Sequence, residues 1–277
     1  MRRNYATVVI ENLAPSVNCG RYAVKRAVGE SLVVAADIFK DGHDKVAAVL
    51  KWRVAGEETW NETRMQQMVN DRWQAACTMF QIGEYEYTIE AWADDFASWR
   101  DEFGRKFEAG IDNLTTETIE GSRLVAEAAG RAGSHADARR LREIAARIEA
   151  GSAAEVREIS QWSELIGLVD AWPDRALATE FSPCHRVRVD RERAAFAAWY
   201  EFFPRSAEGR ADRGSTFRDC LGRIEDARRM GFDVIYFPPI HPIGLSKRKG
   251  RNNSVTCEPG DPGVPYAIGN RHQDCPH

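Results

Sequence analysis

The sequence has no apolar run long enough to span a membrane, and its opening residues lack the apolar core of a signal peptide: Arg2 and Arg3 lead into a short alternating stretch, Val8-Val9-Ile10. These absences predict a cytoplasmic protein without a membrane partner. The six cysteines (Cys19, Cys77, Cys184, Cys220, Cys257 and Cys275) contain no C-x-x-C pair, so neither a zinc knuckle nor a thiol redox motif is supported. No Gly-rich phosphate motif, no G-x-S-x-G and no H-E-x-x-H occurs, and no metal or cofactor is expected. Positive charge is not in excess: 38 Lys and Arg against 42 Asp and Glu leave a net charge of -4, which weighs against a nucleic-acid partner.

What is present is ordinary globular composition, 43% hydrophobic and 29% charged, which excludes collagen-like and disordered classes. At roughly 100 to 200 residues per domain the 277 residues predict two domains or more. A complete eight-fold β/α barrel takes about 250 residues by itself, so a whole barrel cannot be added to other domains in this length.

Residues 1–96 carry a β pattern. Leu32 to Phe39 and Val46 to Val54 are apolar runs of strand length on either side of Asp41-Gly42-His43-Asp44, and turn chemistry between such runs predicts a hairpin. Tyr85, Tyr87, Ile89 and Ala91 alternate with Glu84, Glu86, Thr88 and Glu90, predicting one apolar and one solvated face. Five or six such strands suggest an antiparallel β-sandwich of immunoglobulin-like size. Residues 97–175 switch to a helical period. Phe103, Phe107 and Ile111 form one apolar stripe, and Leu141, Ile144, Ala145 and Ile148 form another. Ser134 before Asp137 and Ser152 before Glu155 mark two capped helix starts, so a bundle of about four helices is expected. Its arginines alternate with Glu143, Glu149, Glu155 and Glu158, the pattern of a solvated face. An extended stretch within 176–192 is expected to return to the sandwich, making the bundle an insertion.

Residues 193–277 read as strand, helix, strand. Trp199 to Phe203 is followed by a helix over Thr216 to Met230 with Gly231 as its stop, then by Asp233 to Phe237, an apolar run with no solvated face. This order predicts a parallel pair with the helix outside it, and the loop beyond its second strand is where such folds keep their chemistry. That loop, Ile240 to Gly269, holds Lys247, Arg248, Lys249 and Arg251, four cations within five residues, then Asn252 and Asn253. Such a group suits a phosphate or a set of sugar hydroxyls, and equally a solvated basic loop. His241 has no second ligand at metal spacing, so a structural role is expected for it, and His43 is read as a turn residue.

Three stretches carry a resemblance: Phe196 to Ser206, Gly231 to Gly244, and Arg248-Lys249-Gly250-Arg251-Asn252-Asn253. Together with Gly20-Arg21-Tyr22, Ala36 to Asp44, Asn70-Asp71-Arg72-Trp73 and Glu90-Ala91-Trp92, they resemble the bacterial alpha-1,4-glucan:maltose-1-phosphate maltosyltransferases of the alpha-amylase clan, over about Thr7 to Gly269. The resemblance implies a β-sandwich with an inserted helical bundle, followed by the truncated start of a (β/α)8 barrel. It implies maltosyl transfer from maltose 1-phosphate to the non-reducing ends of α-1,4-glucans with retention, by cytoplasmic homodimers.

A retaining enzyme needs a carboxylate nucleophile and a carboxylic acid about 5 to 5.5 Å apart. In this clan they follow the fourth and fifth barrel strands, so no catalytic residue is expected in this sequence, and Asp233 and Asp261 are not assigned such roles. Lys249 matches a family lysine that contacts the sugar phosphate donor. Asn252 and Asn253 either shape the loop or bind hydroxyls. Residues Asn270 to His277 depart from the family pattern, which predicts a broken gene or a cut chain, inactive alone. The competing expectation is a non-catalytic module that binds α-glucan or dimerises, with Trp73, Trp92 or Trp99 as the aromatic platform if these are not core residues.

Overall fold

The computed structural model describes residues 6–210, 214–241, 246–259, 261 and 266. The chain divides into two compact units, Met1–Asp190 and Arg191–His277.

In the first unit two sheets face each other. One has the order β1 (Val8–Ala14), β3 (Ser31–Lys40), β7 (Arg72–Thr78), β6 (Gln66–Gln67). The other has the order β2 (Val24–Ala27), β10 (His185–Asp190), β8 (Gly83–Ala93), β4 (Val46–Val54), β5 (Asn61–Arg64), with β9 (Thr179–Glu180) also paired to β8. Every pairing is antiparallel except β2 with β10. Side chains alternate along each strand, so Leu32, Val34, Ala36 and Ile38 of β3 and Ala48 and Leu50 of β4 point into one shared core with Tyr87 and Ile89 of β8. This is a sandwich-like layering.

The expected β3–β4 hairpin does not form. Both edges of β3 are taken by β1 and β7, and β4 pairs with β5 and β8, so the Asp41–Asp44 turn carries the chain from one sheet to the other. Both strands thereby keep their apolar faces on the common core. The expected solvated face of β8 is also only partly solvated. Thr88 is fully buried, and its hydroxyl donates to the Phe181 carbonyl at 2.6 Å, because the chain returning through β9 covers it.

Five helices stand between β8 and β9: α1 (Asp95–Glu108), α2 (Thr115–Arg131), α3 (His135–Ala150), α4 (Ala153–Ile159) and α5 (Ser163–Ala171). Their apolar stripes meet in a core of their own that includes Phe103, Val125, Leu141, Ile144 and Ile148. Ser134 accepts from the Asp137 N–H, and Ser152 with Glu155 forms a complete capping box, so these two starts satisfy helix N–H groups locally. Ile111 leaves the expected stripe: α1 ends at Glu108, and Ile111 is exposed beyond it. Helices α1 and α2 approach so closely that a Cβ on Gly121 would stand 2.0 Å from the Trp99 ring. The bundle is tied to the sheet at its base, where the Asp94 N–H donates to the Lys45 carbonyl at 2.8 Å and the Lys45 N–H to Ser98 Oγ at 2.7 Å.

In the second unit β11 (Trp199–Glu201) pairs parallel with β12 (Val234–Tyr236), and α6 (Leu221–Arg229) lies between them in sequence. The expected helix from Thr216 opens as a tight 3-10 turn at Arg218–Cys220 before α6, and Gly231 at φ +87° ends it. The run expected to be buried on every face is not. Val234 and Ile235 are half-buried and Tyr236 is exposed, because among the described residues this sheet has only two strands.

Candidate functional site

The polar loop beyond β12 is described at 246–259 and at 261. Pro242 to Gly244, Gly260, Pro262, Gly263, Ala267 to Gly269 and the divergent residues 270–277 lie outside the described residues, as does Cys275. His241 is exposed at the start of the loop.

The loop is shaped by backbone that few side chains tolerate. Lys247 (φ +55°), Asn252 (φ +55°) and Asn253 (φ +62°) occupy the left-handed region. Asparagine adopts it readily, and lysine does so at a cost of about 1 to 2 kcal/mol. The Gly250 N–H donates to the Ser254 carbonyl at 2.8 Å, closing a turn around Arg251–Asn253. Gly250 is buried, and a Cβ there would meet the Thr256 carbonyl oxygen at 2.1 Å, so only glycine fits.

One carboxylate organises this turn. Asp261 Oδ2 accepts the Glu258 N–H at 2.9 Å, and Oδ1 lies 3.8 Å from Arg251 Nε. The Asp261 carbonyl accepts from the Arg248 guanidinium at 2.9 Å. The Glu258 N–H first, then the Arg251 N–H and the charges of Arg251 and Arg248, hold the Asp261 carboxyl below the usual carboxylate range against a smaller opposing effect of burial. Lys249 sits half-buried between Arg248 and Gly250, and among the described residues nothing hydrogen-bonds or ion-pairs with its ammonium. The sequence singled out Lys249 but not the Asp261 that ties its neighbours. The only local signal was a glycine inside a run of cations.

Asp233 has structural partners: its Oδ2 accepts the Ala198 N–H at 3.0 Å, and Oδ1 lies 3.4 Å from Arg193 Nε. No cluster of three or more metal-ligating side chains exists among the described residues, and no described helix is long and apolar enough to cross a membrane.

The tryptophans weighed as a glucan platform are all buried. Trp73 donates to the Ile38 carbonyl at 3.0 Å and Trp99 to the Glu117 carbonyl at 2.6 Å. Trp92 is covered by the guanidinium groups of Arg175, 4.4 Å from its ring centre, and Arg64, 5.3 Å away. None of the three offers a face to a sugar.

Comparison with known proteins decides the family. The sequence profile described as alpha-1,4-glucan:maltose-1-phosphate maltosyltransferase, domain N/S, matches residues 6–191. The chain belongs to the alpha-1,4-glucan:maltose-1-phosphate maltosyltransferase family. The match ends next to the boundary between the two compact units, and similarity to individual relatives continues past it. The maltosyltransferase of Myxococcus xanthus is 42% identical over 276 residues, covering 97% of this chain and 41% of that protein. The enzyme so named from Burkholderia pseudomallei is 43% identical, covering 95% of this chain and 23% of that protein. For Chlorobaculum tepidum the identity is 39%, with 95% and 39% covered. The chain therefore spans less than half the length of these maltosyltransferases.

Proposed function

We propose that the chain forms the N-terminal part of an enzyme that transfers maltosyl units from maltose 1-phosphate to the non-reducing ends of α-1,4-glucans, with retention, in the cytoplasm and as a homodimer. Similarity over 97% of the chain to a protein of that name carries the reading. In this reading the sandwich is immunoglobulin-like, the helices α1–α5 are its insertion, and β11, α6 and β12 open the (β/α)8 barrel of the alpha-amylase clan. Lys249 then binds the phosphate of the donor: a half-buried lysine with no described partner for its ammonium matches an anionic ligand, and charge-assisted hydrogen bonds to phosphate are strong.

The nucleophile and the acid belong to the part of the family's sequence outside the matched residues, so this chain alone does not turn over. In phosphate-release assays with maltose 1-phosphate and glycogen, the complete enzyme is expected to be active and the isolated chain silent. Turnover by the isolated chain overturns the placement of the carboxylates. No transfer by the complete enzyme overturns the function.

A further inference from the structure

We propose that Asp261 is a positioning residue for Lys249, tying together the residues on both sides of that lysine so that its ammonium is held for the donor phosphate. The proposal rests on the reading of Lys249 given above and adds a second residue to it. A lysine is a point charge on a four-carbon stem, so where its ammonium sits depends first on how firmly its Cα is held. The segment that holds it is strained at Lys247, and strained backbone persists only where neighbouring contacts over-determine it.

Asp261 supplies contacts on either side of Lys249 without touching it. Its carbonyl accepts from Arg248, the residue before. Its Oδ2 packs against Gly250, the residue after, where a Cβ would stand 2.9 Å from that oxygen. Its Oδ1 faces Arg251 at 3.8 Å, and the Glu258 N–H holds the carboxylate itself, with the Asp261 N–H donating back to the Glu258 carbonyl at 3.1 Å. Arg248 is thereby tied to the Asp261 main chain, while Gly250 and Arg251 face its carboxylate. The same commitments argue against Asp261 as nucleophile or acid, since both its oxygens already face donors.

The test is steady-state kinetics in the complete maltosyltransferase that contains these residues. Asp261→Ala is expected to raise KM for maltose 1-phosphate about tenfold to a hundredfold while kcat changes little, the size of loss that a misplaced binding group produces. Asp261→Asn, whose amide oxygen still accepts the Glu258 N–H, is expected to recover part of that loss, and it decides the matter if the alanine variant fails to fold. Lys249→Ala is expected to raise KM in the same way, and the double variant to be no worse than Lys249→Ala alone. An unchanged KM in both Asp261 variants, a fall in kcat alone, or losses that add fully to those of Lys249→Ala overturn the positioning role. An unchanged KM in Lys249→Ala overturns the reading of Lys249 itself, and with it this proposal.

Discussion

The two compact units use similar apolar runs to different ends. In the first, strands and helices close on themselves: Tyr87, Leu50, Phe103 and Leu141 are fully buried, and the two cores draw on every layer around them. In the second, the aromatic strand β11 leaves Trp199 61% exposed and α6 leaves Leu221 64% exposed. An apolar run states that burial is wanted. Whether the covering surface is supplied by the described residues is a separate matter, and here it differs within one chain.

The sharpest way to break that contrast is to truncate a leucine in each unit. Leu141→Ala removes a wholly buried side chain and is expected to cost about 2 to 5 kcal/mol, whereas Leu221→Ala is expected to stay within about 0.5 kcal/mol. Denaturant unfolding followed by circular dichroism measures both, and equal losses would show that the second unit is packed as tightly as the first. Paired glycines give a smaller test. Gly121→Ala drives a methyl into the Trp99 ring and is expected to destabilise by about 1 to 3 kcal/mol. Gly222→Ala in α6 meets nothing within 4 Å and is expected to stabilise by up to about 1 kcal/mol. Melting temperatures shifting in the same direction would contradict the difference in packing.

The smallest effect concerns pH. His185 is buried in β10 between Tyr87 and Phe181, and burial pushes its pKa below the ordinary 6.5. The unfolded chain binds the proton more readily than the folded one, so stability is intact above about pH 6.5 and is lost as pH falls below it. Unfolding midpoints collected across pH 5 to 8 for the parent and for His185→Gln check this. A parent whose stability does not fall more steeply than the variant's over the acid half of that range would discard His185 as its source.

What was legible in the sequence was local. Ser152 and Glu155 stand three residues apart and satisfy each other's backbone, so their capping box was readable without knowing any neighbour. The Asp41–Asp44 turn announced a reversal, but turn chemistry does not say whether the chain rejoins its own sheet or crosses to the facing one. Thr88 read as a surface residue because its partner, the Phe181 carbonyl, lies 93 positions away. Lys249 is legible through the family resemblance of Arg248 to Asn253, whereas the place of Asp261 depends on contacts to Arg248, Gly250 and Arg251 that only the folded loop brings together.

The parallel pairing of β2 with β10 has a consequence for biosynthesis. Among the described residues strand β2 stands at the sheet's edge with β10 as its one neighbour there, so Val24–Ala27 lacks that partner until Val187–Asp190 has been made. At about 5 to 20 residues per second of synthesis, that is a delay of roughly 10 to 30 s. During it the helices α1–α5 emerge and are free to pack, so a ribosome-bound chain would carry a finished bundle on an unfinished sheet.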